Sequence, residues 1–360
     1  MFAVPTVDLA PYVDPQGSVE ARARTAAALD EACRTVGFVQ VTGHGVPDDV
    51  AAGLASALDD VFALPVAEKK ALVVTEPSSP SLRSPLEGTN RGYSPPRSES
   101  VSRSLGVEQA TRMNDFFEAF NVGTTADGPQ TGGDGNRWPD IAGFRDRVEA
   151  WFAEAQRVAR TLTTAFADAL DVAPDTFTRL AHDPVEVLRM NNYALDEQDL
   201  PDGADLTGMG EHTDYGIVTV LWADRVAGLQ VLGPDDGVWH DVLPAEGALL
   251  VNLGDLTARL TGDRWRSTLH RVKPPIEQRP GGGLRIRRRR SAAFFHDGDL
   301  DAVVETLPLA GAQPYPPTTI RDHLAAKLGG SRGGTPNAAA DREAARVHAA
   351  TSQISSVDAR

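Results

Sequence analysis

Residues 210–223 read GEHTDYGIVTVLWA, and the short apolar runs on either side of them decide the fold. VEVLRMNNY (185–193) comes before them. GLQVL (228–232), VWHDV (238–242), GALLVNL (247–253), STLHRV (267–272) and SAAFF (291–295) come after. These runs are rich in β-branched and aromatic residues and are separated by Gly, Pro and Asp, as strands joined by turns are. Many short strands in succession predict an antiparallel sandwich or barrel.

Upstream the periodicity changes. Residues 4–12, VPTVDLAPY, alternate apolar and polar and carry two prolines, which predicts a short edge strand ending in a turn. Residues 19–36 read as a helix with Ala27, Leu29 and Cys33 among its apolar positions, and GFVQVTGHGV (37–46) as a buried strand. Asp48 or Asp49 is placed to cap a second helix that runs to about Leu64, where Pro65 interrupts it. Phe144, Val148, Trp151, Phe152, Ala155 and Ala159 recur at helical spacing within a long helix over 141–170, a stripe that faces a core. Residues 77–108 and 123–136 are rich in Ser, Pro and Gly and read as loops, with GTNRGYSP (88–95) an ordered turn near a site. TTIRDHLAAKL (318–328) is a last helix. The fold class is therefore mainly β with a helical layer.

The chain has 360 residues, 41% of them hydrophobic and 24% charged, which excludes disorder throughout. Its net charge of −15 argues against a nucleic-acid partner, which needs a basic face. The single cysteine, Cys33, allows no intramolecular disulfide and no Cys-rich metal cluster. The N-terminal residues lack a basic region followed by a long apolar stretch, and no apolar run approaches membrane-spanning length. The expectation is a soluble cytoplasmic protein.

His212 and Asp214 are two residues apart, so on a strand an imidazole and a carboxylate share one face. His270, in another strand-like run, is the candidate third ligand. Two histidines and one carboxylate on one face of an octahedron leave positions open, an arrangement suited to nonhaem Fe(II) and oxygen chemistry. Arg289 and Ser291 repeat the period of two in RRRRSAAFF (287–295), and a guanidinium fork beside a hydroxyl can grip a carboxylate. The alternation puts Arg290 on the opposite face and leaves Arg287 too early in the run.

In this order the motifs VPTVDL, ACRTVGFVQVTGHGVP, NRGYSP, LRMNNY, HTD, GLQVL, VNLGDL, STLHRV, RRS and YPPTTIRDHLAAKL resemble the Fe(II)- and 2-oxoglutarate-dependent dioxygenases of the isopenicillin N synthase-like family, over about residues 2–330. The resemblance implies a double-stranded β-helix, or jelly roll, with iron at its mouth. It divides the chain into an N-terminal helical and strand region (1–120), a jelly-roll oxygenase core (121–330) and a flexible tail (331–360). His212, Asp214 and His270 match the iron ligands. Arg289 and Ser291 match the anchor for the far carboxylate of 2-oxoglutarate, Tyr193 adds a hydroxyl to it, and Asn191 faces the cosubstrate's other end. The implied cofactors are Fe(II), 2-oxoglutarate and O2, with release of succinate and CO2, and hydroxylation, desaturation or cyclisation of a small organic metabolite, by composition a secondary one. Two departures stand out: PPIEQRPGGGLRI (274–286) lengthens the segment between His270 and Arg289, and Ala194 replaces a proline after Tyr193.

Other readings stand beside this one. The chain could be a relative that uses no 2-oxoglutarate, a noncatalytic binder, or a zinc hydrolase on the same fold. Arg189, two residues before Asn191, is either a charge for the substrate or half of a structural ion pair, and Phe295 lines the pocket on the face of Arg289. His44 reads as a turn residue, His182 and His240 as surface or supporting residues, His296 as a strand end at the rim and Cys33 as helix core. The tail has little apolar content to dock. Removing residues 332–360 is accordingly expected to leave turnover and melting temperature nearly unchanged, as steady-state assays and thermal melts of the shortened chain would show.

Overall fold

Period-two alternation in the apolar runs becomes two facing sheets in the computed structural model, which describes residues 2–73, 91–99, 101–105, 115–124, 135–194, 208–273, 276–278 and 284–333. The larger sheet holds β1 (Thr6–Asp8), β2 (Phe38–Thr42), β3 (Gly92–Ser94), β4 (Glu118–Gly123), β5 (Val185–Tyr193), β7 (Val218–Ala223), β10 (Leu249–Leu253) and β14 (Arg289–Gly298). Its order is β1-β2-β10-β7-β14-β5-β4-β3, antiparallel except for the parallel pair β1–β2. The smaller sheet runs β6-β11-β8-β9, from β6 (Met209–His212), β8 (Leu229–Leu232), β9 (Trp239–Asp241) and β11 (His270–Val272). Two-stranded pairs β12 (Ile276–Gln278) with β13 (Leu284–Ile286), and β15 (Val303–Val304) with β16 (Thr318–Thr319), complete the described strands.

The helices are α1 (Ala10–Val13), α2 (Val19–Thr35), α3 (Asp48–Ala63), α4 (Val66–Ala71), α5 (Phe144–Leu170), α6 (Asp255–Thr261) and α7 (Ile320–Gly333). None of them is long and apolar enough to cross a membrane. The stripe expected on α5 is core: Phe144, Val148, Trp151, Ala155 and Ala159 are buried with Leu29, Leu58 and Phe294. Phe152 meets Phe294 edge-on, with ring centroids 5.0 Å apart. Burying each such large side chain contributes about 1.5–3 kcal/mol.

Along β14, Ala292 and Phe294 pack into this helical layer. Arg289, Ser291, Ala293 and Phe295 line the space between the sheets. A second apolar cluster fills that space, with Phe38, Phe117 and Tyr193 from the large-sheet side against Met209, Leu229 and Val272 from the small one.

Several expectations need correction. The division near residue 120 falls inside β4, and β2 pairs with β10, so the N-terminal strands extend the larger sheet itself. The inserted segment 274–286 contains the antiparallel pair β12–β13. Asp48 and Asp49 lie in the first turn of α3 and Pro47 takes the cap position, so the carboxylates favour the helix through its dipole. Residues 92–94 form an edge strand rather than a turn. The helix at the C-terminal side continues through 331, where Ser331 is buried, to Gly333, so the tail cannot begin at 331; residues 334–360 lie outside the described residues.

His296 is not at a rim. β14 continues past it, and its Nδ1 sits 2.7 Å from Glu186 Oε1 on β5, with both side chains at most 1% exposed. Without the imidazole, the buried Glu186 carboxylate would keep a bond from Gln156 Nε2 but lose its partner on Oε1, and breaking a buried pair costs about 3–5 kcal/mol. His296→Ala is therefore expected to shift the denaturant midpoint down by that order with little change in slope, as equilibrium unfolding would show.

Candidate active site

The two histidines are neighbours because β6 ends where β11 begins: His270 and His212 are direct cross-strand partners, with ring centroids 4.1 Å apart. Each ring is oriented by its own chain. His212 Nδ1 lies 2.8 Å from the Gly210 carbonyl, and His270 Nδ1 lies 3.0 Å from the Thr268 carbonyl. A carbonyl only accepts, so each Nδ1 carries the hydrogen and each Nε2 keeps a lone pair. These Nε2 atoms lie 3.8 and 3.7 Å from Asp214 Oδ1. Burial, reinforced by the neighbouring His270, pushes the His212 pKa well below the ordinary imidazole value and favours the neutral ligand form.

Asp214 does not share a strand face with His212. β6 stops at His212, and Asp214 follows in a turn. The turn is held by α6, whose first N–H groups have no partners within the helix. Asp255 N donates to the Asp214 carbonyl at 2.8 Å, Leu256 N to the Tyr215 and Gly216 carbonyls at 3.2 Å, and Gly254 N to that of Ile217 at 3.2 Å. The approach is so close that a Cβ on Gly254 would lie 2.1 Å from the Gly216 oxygen. The Asp214 carboxylate is divided by function. Its Oδ2 accepts from Thr219 Oγ1 and Asn252 Nδ2, each at 2.6 Å, which leaves Oδ1 facing the histidines.

The three donor atoms lie within 4.8 Å of one another and all three residues are buried. Nitrogen–oxygen separations under twice a metal–ligand bond of about 2.1 Å let one ion bridge them. A set of two neutral imidazoles and one carboxylate on one side of the ion fits iron(II).

Arg289 and Ser291 come from β14 and face Tyr193 and Asn191, their register partners on β5. The Arg289 guanidinium is 2% exposed, lies over the Tyr193 ring at 5.3 Å and donates from Nη1 to Ser291 Oγ at 3.3 Å. Among the described residues no carboxylate pairs with it and its Nε has no hydrogen-bond partner. Burial lowers its pKa from the usual guanidinium value and raises that of Tyr193. The rest of the arginine run is turned elsewhere: Arg288 and Arg290 each pair with Asp59 at 2.7 Å, Arg290 also reaches Asp224, and Arg287 is exposed. One cavity is lined by Arg189, Asn191, Tyr193, His212, Asp214, His270, Arg289, Ser291 and Phe295, so every site residue expected from the sequence converges on it.

Arg189 forms an ion pair at the edge of the cavity. It lines the cavity, yet its Nη2 is 3.0 Å from Glu99 Oε1, both side chains are under a tenth exposed, and its Nε donates to Asn191 Oδ1 at 3.2 Å. The other described histidines do not line the cavity. His44 bonds the Gly247 carbonyl and the Val46 amide in a turn, His240 pairs with Asp236, and His182 is exposed. Cys33 is buried in α2. Thr219, Asn252 and Glu99 were missed. The first two had a signal, a single polar residue in each of the apolar runs IVTV and LLVNL, whereas Glu99 sits in a loop without periodicity.

Comparison with known proteins identifies the family. The family model described as non-haem dioxygenase in morphine synthesis N-terminal matches residues 4–141, and that of the 2OG-Fe(II) oxygenase superfamily matches residues 184–298. The 2-oxoglutarate-Fe(II) type oxidoreductase hxnY of Emericella nidulans is 33% identical over 334 residues, covering 89% of this chain and 88% of its own. The validamycin A dioxygenase of Streptomyces hygroscopicus subsp. limoneus is 30% identical, covering 90% and 86%. A full-length Neurospora crassa protein, solved in complex with alpha-KG and thymine, superposes with a TM-score of 0.75 at 26% identity, covering 90% and 96%. By sequence and by structure the chain belongs to the Fe(II)- and 2-oxoglutarate-dependent dioxygenases of the isopenicillin N synthase-like family.

Proposed function

We propose that His212, Asp214 and His270 hold the iron and that Arg289, with Ser291 and Tyr193, holds the far carboxylate of 2-oxoglutarate. The observation that carries this is the buried guanidinium of Arg289, which no carboxylate among the described residues contacts, in the same cavity as the three convergent donors. An unpaired charge at that depth is unfavourable until an anion arrives, and a dicarboxylate cosubstrate brings one. The same feature weighs against a relative that uses no 2-oxoglutarate. Iron bound with the cosubstrate supplies O2 activation coupled to oxidative decarboxylation, giving succinate and CO2 and oxidising a C–H bond of the substrate.

The protein's part is orientation and exclusion of water. Thr219 and Asn252 keep one carboxylate oxygen occupied so that the other stays directed inward. The Gly210 and Thr268 carbonyls keep both imidazoles in the metal-binding tautomer. Phe38, Leu221, Leu229 and Val272 give the cosubstrate a dry channel, in which Asn191 faces its keto acid end. Phe295 and Arg189 supply the substrate wall. Because Glu99 already neutralises Arg189, that wall suits a neutral or weakly polar small molecule better than a strong anion. Relatives named for validamycin A and solved with thymine accord with a small organic substrate, a secondary metabolite among the options.

Asp214→Ala and His270→Ala are each expected to abolish Fe(II)-dependent succinate formation while the protein stays folded. Near wild-type turnover by either variant at low iron would show that the ligands lie elsewhere.

The anchor predicts a contrast between adjacent arginines. Arg289→Gln should weaken 2-oxoglutarate binding at least about 30-fold, the lower end of a loss of about 2–5 kcal/mol for a buried charge pair. Ser291→Ala should cost less, since it removes one hydroxyl. Arg290→Gln, whose side chain is held outside by Asp59 and Asp224, should leave affinity unchanged. Anaerobic titration of 2-oxoglutarate into the Fe(II)-loaded variants measures all three.

A further inference from the structure

The turn that carries Asp214 is also gripped from α7, an element outside both sheets. Lys327, on α7, is 1% exposed, and its Nζ lies 2.6 Å from Asp255 Oδ2, a carboxylate with no exposed surface. The contact is a charge pair whose angle falls outside hydrogen-bond geometry. The same Oδ2 accepts from Thr213 Oγ1 at 3.0 Å, and Thr213 stands between His212 and Asp214. One helical turn before Lys327, on the same face of α7, His323 Nε2 lies 3.1 Å from the carbonyl oxygen of Tyr215, the residue after Asp214. Lys327 Nζ also sits 5.7 Å from the centre of the Tyr215 ring.

A fully buried ion pair contributes little to stability by itself, because removing both charges from water offsets most of their attraction. Here Asp255 has two further tasks, the second of which an apolar residue could not perform. Its backbone N–H holds the Asp214 carbonyl, and its carboxylate holds the Thr213 hydroxyl. Lys327 sets its charge against the same carboxylate oxygen that accepts from Thr213. His323, whose pKa is pushed down to about 4 by burial and by Lys327, is neutral and can donate Nε2–H to the Tyr215 carbonyl while adding no charge.

We propose that Lys327 and His323 are positioning residues for the iron site, acting through Asp255, Thr213 and Tyr215 to hold Asp214 Oδ1 toward His212 and His270. The inference rests on the ligand assignment made above. It makes docking of the C-terminal helix a condition for a complete metal site.

The test measures Mn(II) affinity of the full-length chain by electron paramagnetic resonance of the free ion, in place of turnover, with a thermal melt of each apo-protein. Lys327→Met and Thr213→Val are expected to weaken Mn(II) at least about 10-fold at a temperature where both are folded, as loss of groups that orient metal ligands does. His323→Gln is expected to weaken it by a smaller factor, since it removes one of two grips. Mn(II) affinity within twofold of wild type in Lys327→Met and Thr213→Val, with only the melting temperature lowered, would overturn the proposal. Should Lys327→Met not fold, Thr213→Val decides alone, because it keeps the ion pair and removes only the tie to the turn. His270→Ala is the control: its loss of Mn(II) upholds the ligand assignment independently, and its retention of full affinity would overturn that assignment and the clamp with it.

Discussion

A guanidinium shut between two sheets, with no carboxylate among the described residues in contact with it, is the constraint to which the rest of the cavity answers. Arg289 can stay there because β14 is paired on both edges, to β5 and to β7, so the strand cannot swing to release the charge toward water. Tyr193 offers a ring face and Ser291 a hydroxyl, partial compensation that leaves room for a true counter-ion. On the proposed assignment, the carboxylate of 2-oxoglutarate would gain more there than in water, and the guanidinium fork would set its orientation.

The metal end is organised by a different economy of groups. Both histidines are aligned by carbonyls two residues earlier in their own chains, so each ligand brings its support with it. Asp214 has no such local support. It lies in a turn, and its support is gathered from β7, β10, α6 and, through Asp255, from α7. The carboxylate is the ligand most dependent on distant parts of the fold.

That difference explains what was legible in the sequence. Strand runs, the α5 stripe and the shared face of Arg289 and Ser291 were readable, because period-two and period-3.6 patterns place side chains without knowledge of the fold, whereas Asp214 lies beyond the end of β6, where that period does not apply. The resemblance to a known family then joined pieces that spacing alone leaves separate. His296 misled because two phenylalanines look like the end of a strand, whereas its partner Glu186 is 110 residues away and no local pattern announces it. Lys327 was unreadable for a similar reason: a lysine on a polar helix suggests solvent, and only the tertiary docking of α7 buries it beside Asp255. The Glu99 partner of Arg189 comes from a loop, where composition gives no direction to a side chain.

The arginine run has one more consequence, for how β14 finds its place as the chain folds. With Arg287, Arg288, Arg289 and Arg290 in succession, a slip of the strand by one residue would still bring an arginine toward the cavity. Charge at these positions therefore cannot discriminate the native pairing from its nearest error. Discrimination falls to the residues beyond: the slip would turn Phe294 out of the helical layer and exchange it with its partly buried, cavity-lining neighbour Phe295, and it would detach His296 from Glu186. The far end of the strand acts as the proofreader for the end that carries Arg289.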